Sequence, residues 1–265
     1  MISKAILSLS LLCLLAVLTA PVDASSSDIA KERRWAEQVE DGLLDGDVVW
    51  LDDGNGHEFL GILTEGNPET GRAVVLIHGI GVHPNWPDVI YPLRSGLLDH
   101  GLTTLSIQMP ILANDADERE YLGLLPEVAG RIDAALDTLA DGGYRNVVLV
   151  GHSMGASMML HYMSRSPSSA ITSVVAIGIS AGVGDRVAGN ENIDALQKVR
   201  VPVLDLYGSE DLDTVLNSVA DRAAAGGAEP EYRQVRVLGA NHFFQGQESA
   251  LLKSVLDWLA AQSSP

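Results

Sequence analysis

The run Asn146-Val147-Val148-Leu149-Val150-Gly151-His152-Ser153-Met154-Gly155 constrains this chain more than any other stretch. Branched apolar residues in succession suit a buried strand, and here they stop at a serine bracketed by two glycines. A hydroxyl that is to attack a carbonyl must stand clear of the backbone. The sharp strand-to-helix turn that lifts it leaves no room for side chains two positions to either side, and Gly151 and Gly155 occupy those places. Ala156 and Ser157 are small enough for a helix lying close on a sheet, and Met159, Leu160 and Met163 predict its buried face. Ser153 is therefore the candidate nucleophile.

The flanking sequence supplies a frame for that turn. Residues 47–51 and 58–63 are β-rich runs separated by the turn composition Asp52-Asp53-Gly54-Asn55-Gly56, which predicts an antiparallel hairpin at a sheet edge. Ala73-Val74-Val75-Leu76-Ile77 is continuous and branched, as a strand covered on both faces should be, and it ends in His78-Gly79-Ile80-Gly81. Further strands are expected at 103–108, 171–179, 201–207 and 234–238. Helices are expected at 92–100, at 125–139 with Leu125, Val128, Ile132, Leu136 and Leu139 in three-and-four spacing, and at the C-terminus around Leu251, Val255, Trp258 and Leu259. Alternating strands and helices imply a mostly parallel, doubly wound α/β sheet, with its site at the carboxyl ends of the strands.

A serine is a weak nucleophile until a base takes its proton, and the base must be held in one tautomer by an acid. Tyr207-Gly208-Ser209-Glu210-Asp211 closes one late strand, and Gly239-Ala240-Asn241-His242 closes the last. Ser153, Asp211 and His242 stand in the chain order Ser, Asp, His. Glu210 and Asp213 lie close enough in sequence to compete for the role of acid. His83, His152 and His161 read as structural or pocket-lining, and Met158, Met159 and Met163 as core filling. No histidine and carboxylate grouping has a metal-ligand spacing, and no glycine-rich phosphate loop opens a helix, so no metal and no cofactor are expected.

From about Asp47 to the C-terminus the chain resembles the α/β-hydrolase superfamily, on the Gly-x-Ser-x-Gly turn and the order of Ser153, Asp211 and His242. The stretch from His78 to Pro110, with His83-Pro84-Asn85-Trp86-Pro87, also resembles a bacterial family of secreted α/β-hydrolase-like proteins of unknown function. The superfamily resemblance implies that the acid follows the strand two after the nucleophile strand, which favours Asp211 with its Gly-x-x-Asp spacing. It implies an oxyanion hole built from the backbone N–H groups of Ile80 and Met154, with His78 bracing the loop. It implies acyl transfer to water through an acyl-enzyme on Ser153. A serine rather than an aspartate at the turn argues against dehalogenase and epoxide-hydrolase chemistry.

In that superfamily lids are usually inserted after the strand that follows the nucleophile helix. Here the corresponding connection, residues 180–200, is short and polar, so no large cap is expected. An open-pocket esterase for a small or medium acyl substrate follows, with Trp86, Ile111, Leu112 and Val183 as pocket walls. Thioesterase, amidase and acyltransferase activities would use the same residues. The contrasting reading is a secreted binding or envelope-associated protein that keeps the fold without turnover.

The N-terminus has a different character. Lys4, an apolar run over 5–20, Pro21 and the small residues around Ala24 predict a signal peptide over 1–24 cleaved after Ala24, and hence a periplasmic or secreted protein. Cleavage would remove Cys13, the single cysteine, and leave neither disulfides nor stable membrane insertion. Residues 25–45 form a charged extension with Ala30, Trp35, Ala36 and Val39 as a thin apolar stripe, which predicts a short helix lying on the 46–265 hydrolase-like domain. The formal charge of −18 offers no basic patch and excludes nucleic acid as a partner. No feature fixes an oligomeric state.

Overall fold

In the computed structural model, which describes residues 26–165, 167–184, 189–227 and 231–262, the apolar runs become strands of one sheet. The expected leader and Cys13 lie outside the described residues. In chain order the elements are α1 (Ile29–Gly42), β1 (Asp47–Asp52), β2 (Glu58–Thr64), β3 (Arg72–Ile77), α2 (Ile90–Asp99), β4 (Thr103–Ile107), α3 (Leu125–Asp141), β5 (Asn146–His152) and α4 (Met154–Met163). They continue with β6 (Ile171–Ile177), α5 (Glu191–Leu196), β7 (Val203–Glu210), α6 (Asp213–Asn217), α7 (Val219–Gly226), β8 (Tyr232–Asn241) and α8 (Glu248–Ala261). No helix among the described residues is long and apolar enough to cross a membrane.

The eight-stranded sheet has the order β1-β2-β4-β3-β5-β6-β7-β8. β1 and β2 form the expected hairpin, β2 joins β4 antiparallel, and every later pairing is parallel. The central strands are buried on both faces because helices cover both. On one side Leu93 and Leu97 of α2 and Leu251, Val255 and Trp258 of α8 pack on Val74, Val148 and Val175. On the other, Val128, Ile132 and Leu136 of α3 and Met159 of α4 pack on Val75, Leu149 and Val174. From Met154 to Leu160 every residue of α4 is buried, so this helix has no solvent stripe to set a period. β8 runs longer than the apolar stretch 234–238 because it is the edge strand, where alternate residues face water.

The helix α1 is anchored by charge as well as by packing. Ala36 and Val39 cover Leu60 and Ile62 of β2. Glu32, only 4% exposed, meets the fully buried Arg131 of α3 through two hydrogen bonds of 2.8 and 2.9 Å, and also accepts from the hydroxyl of Ser27. Ile111 and Leu112, read from sequence as pocket walls, belong to this joint instead. The Ile111 carbonyl accepts the Asp28 N–H at 2.7 Å, and the Leu112 carbonyl accepts Lys31 Nζ at 2.8 Å. Both side chains are buried and neither lines the cavity over Ser153.

Candidate active site

Ser153 occupies the turn between β5 and α4 with φ 52° and ψ −122°, a conformation that costs a residue with a side chain on the order of 1–3 kcal/mol. Its surroundings impose it. A Cβ on Gly151 would lie 2.7 Å from Ala156 Cα, and one on Gly155 only 2.1 Å from the His78 carbonyl oxygen. The turn can therefore close onto α4 and β3 only where both positions are bare. The Ser153 N–H donates to the Ile177 carbonyl at 2.8 Å, which ties the turn to β6.

Asp211 takes the position after the end of β7, and His242 the position after the end of β8. Asp211 Oδ1 accepts the Leu212 N–H at 2.8 Å and Oδ2 accepts the Gly208 N–H at 3.2 Å. His242 Nδ1 donates to Asp211 Oδ1 at 2.6 Å, which leaves Nε2, 3.0 Å from Ser153 Oγ, as acceptor for the hydroxyl proton. Glu210 and Asp213 are exposed, and the carboxylate facing the imidazole is that of Asp211. Burial pushes the Asp211 carboxyl up. The hydrogen bond and charge of His242, with the two backbone amides, outweigh that effect and hold it below the usual carboxylate range.

Two further histidines fix the loops. His78 is buried, its Nδ1 donating to the Gly79 carbonyl at 2.8 Å and its Nε2 accepting from the Met109 N–H at 2.9 Å and Gln108 Nε2 at 3.0 Å. Burial lowers its pKa to about 3, so it is a neutral brace between the loops after β3 and β4. His152 Nε2 donates to the His242 carbonyl at 3.0 Å, and burial followed by the nearness of His242 lowers its pKa to about 4. His83 lies edge-on between Trp35 and Trp86, with ring centroids 5.6 and 5.7 Å away. His161 lies apart from Ser153, on a smaller void beside Tyr121.

A cavity of about 270 Å³ opens over Ser153. Ile80, Met154, Trp86 and Val183, named from the sequence, all line it. A Cβ on Gly79 would stand 3.4 Å from Ser153 Cβ, so the Gly79-Ile80 turn comes against Ser153. The Met154 N–H is among the first amides of α4, which lack partners within the helix. Leu212 and Phe243 also line the cavity, and the sequence reading missed them. Their signal was position, since each directly follows a member of the Ser153, His242, Asp211 chain.

The sheet order and the strand-to-helix turn at Ser153 are those of the α/β-hydrolase fold. The chain belongs to the family described as "Protein of unknown function (DUF3530)", whose profile matches residues 6–127 and 113–261. No curated protein matches the chain. Among solved structures it is similar to a dienelactone hydrolase from Anabaena variabilis, with 24% identity, a TM-score of 0.63, and coverage of 82% of this chain and 97% of that one. It is also similar to Est1E from Butyrivibrio proteoclasticus, with 16% identity, a TM-score of 0.58, and coverage of 82% and 99%. A cold-adapted esterase from an Arctic intertidal metagenomic library has 20% identity, a TM-score of 0.57, and coverage of 78% and 92%. The likeness to these three is one of fold.

Proposed function

We propose that the protein is a secreted serine hydrolase that cleaves a small or medium carboxylic ester through an acyl-enzyme on Ser153. The observation that carries this reading is the position of His242, hydrogen-bonded to Asp211 through one ring nitrogen and within reach of the Ser153 hydroxyl through the other. In the first step Ser153 Oγ bonds to the ester carbonyl carbon while its proton passes to His242 Nε2. The negative oxygen is held by the N–H groups of Ile80 and Met154, each such donor contributing roughly 3 kcal/mol to the transition state. The carbon–alkoxide bond then breaks, and His242 gives its proton to the departing alcohol. Water, deprotonated by the same imidazole, releases the acid and restores the serine. Asp211 stays ionised throughout and stabilises the imidazolium.

The esterases among the structural neighbours support an ester over other acyl compounds, and the 270 Å³ cavity supports a compact one. A panel of carboxylic esters, thioesters and amides tests the reading. Short-chain esters should turn over fastest, and Ser153→Ala should lower the rate at least roughly 10³-fold. No turnover of any acyl compound by folded protein would refute it and favour the binding role. Residues 1–24 support export, and the N-terminus of protein recovered outside the cytoplasm should be Ser25. Recovery of an uncut chain from the cytoplasm alone would remove that part.

A further inference from the structure

Two large apolar side chains are held in water beside the base and the acid. Leu212 follows Asp211 and is 46% exposed, Phe243 follows His242 and is 41% exposed, and both line the cavity over Ser153. Neither exposure is an accident of a loose loop. Asn241 Oδ1 accepts the N–H groups of Phe243 and Gln245 at 3.0 and 3.3 Å. Phe244, buried with φ 54°, anchors the turn that carries Phe243. The Phe243 ring stands edge-on to the His242 imidazole at 5.2 Å. On the other side, Leu212 extends from a residue whose amide is bonded to Asp211 Oδ1.

In the ester cleavage proposed above, on which this inference rests, the two halves of the substrate leave in different directions. The acyl half stays on Ser153. The alcohol half must place its oxygen within hydrogen-bond reach of His242 Nε2, because that nitrogen returns the proton. Among the exposed large apolar side chains of the described residues, Leu212 and Phe243 line the cavity and directly follow the acid and the base in sequence. We propose that Leu212 and Phe243 form the seat for the alcohol half of the substrate, and that this alcohol is bulky and apolar, an aryl-methyl or branched alkyl alcohol rather than a small or hydroxylated one. Binding it would cover both side chains and remove their contact with water.

The test compares two acetates whose alcohols are of similar acidity and differ in polarity, benzyl acetate and 2-methoxyethyl acetate, with wild type, Leu212→Ser and Phe243→Ser. Wild type should favour the benzyl ester by about tenfold or more in kcat/KM, the discrimination one apolar contact surface provides. Each serine variant should bring that ratio towards one, with the change in KM for the benzyl ester. Labelling of both variants by a fluorophosphonate confirms that their nucleophile turn is formed. A ratio near one in wild type, or the same preference in all three proteins, overturns the proposal while leaving the hydrolase reading in place. A loss confined to esters presented on micelles would also overturn it, in favour of an interfacial role for the two side chains. Failure of wild type to cleave either ester would refute the hydrolase reading, and this inference with it.

Discussion

His152 Nε2 donates a hydrogen bond to the carbonyl of His242 at 3.0 Å, so the residue before Ser153 holds the backbone of the residue that faces it. The nucleophile turn and the last loop of the chain are thereby one unit. That matters because catalysis by a serine depends on imidazole placement to within fractions of an ångström.

The first prediction separates the two neighbouring aspartates. Asp211→Asn removes the charge that selects the His242 tautomer and should lower ester kcat by roughly 10⁴-fold, whereas Asp213→Asn should change it less than about twofold, as for an exposed residue without such a partner. Steady-state kinetics on both variants decide it. Equal losses, or the reverse order, would reassign the acid.

A second concerns backbone approach. Ala at position 155 would drive a methyl into the His78 carbonyl, 2.1 Å away, and Gly155→Ala should cost about 3 kcal/mol or more in urea denaturation. Gly42 ends α1 with nothing within 4 Å of its missing side chain, so Gly42→Ala should be neutral or stabilise by about 0.5 kcal/mol. Similar stabilities for the two variants would contradict the packing described for the nucleophile turn.

The third tests what anchors the N-terminal helix. Arg131→Met leaves the buried Glu32 with His57, 3.0 Å away, in place of a bidentate guanidinium, and should destabilise by about 3 kcal/mol. The double variant Glu32→Leu, Arg131→Met should recover much of that loss, because no ionised group is then left stranded. A double-mutant cycle on denaturation free energies measures the coupling, and additive effects would mean that the pair does not act as one.

Buried neutral histidines give the fourth. His78 and His152 have pKa values lowered by burial from 6.5 to about 3 and about 4. Between about pH 6.5 and those values the unfolded chain binds protons that the folded chain does not, so their contribution to stability falls as the pH falls through that window. Their ring proton resonances, assigned with His78→Gln and His152→Gln, should not move between pH 8 and 6. Titration of either near 6.5 would contradict the burial.

Much of this architecture was legible because local patterns carry it. Continuous branched runs mark strands covered on both faces, and a serine between two glycines marks a turn whose tight approach excludes side chains, so the meeting of Ser153, Asp211 and His242 was legible without coordinates. What escaped depends on partners far away in the chain. Glu32 meets Arg131 across 99 positions, and no periodicity announces such a pair. Ile111 and Leu112 are as apolar as a pocket wall should be, yet their carbonyls hold Asp28 and Lys31 and neither side chain lines the cavity. Leu212 and Phe243 were passed over because an isolated apolar residue after a turn does not reveal whether it faces the core or water.

The most direct measurement is the mass of the protein after treatment with a fluorophosphonate, followed by peptide mapping of the adduct. One phosphonyl group per chain is expected, on the peptide carrying Ser153, and none on Ser153→Ala or on heat-unfolded protein. Folded wild type that takes up no phosphonate, or takes it up equally at other serines, would contradict it.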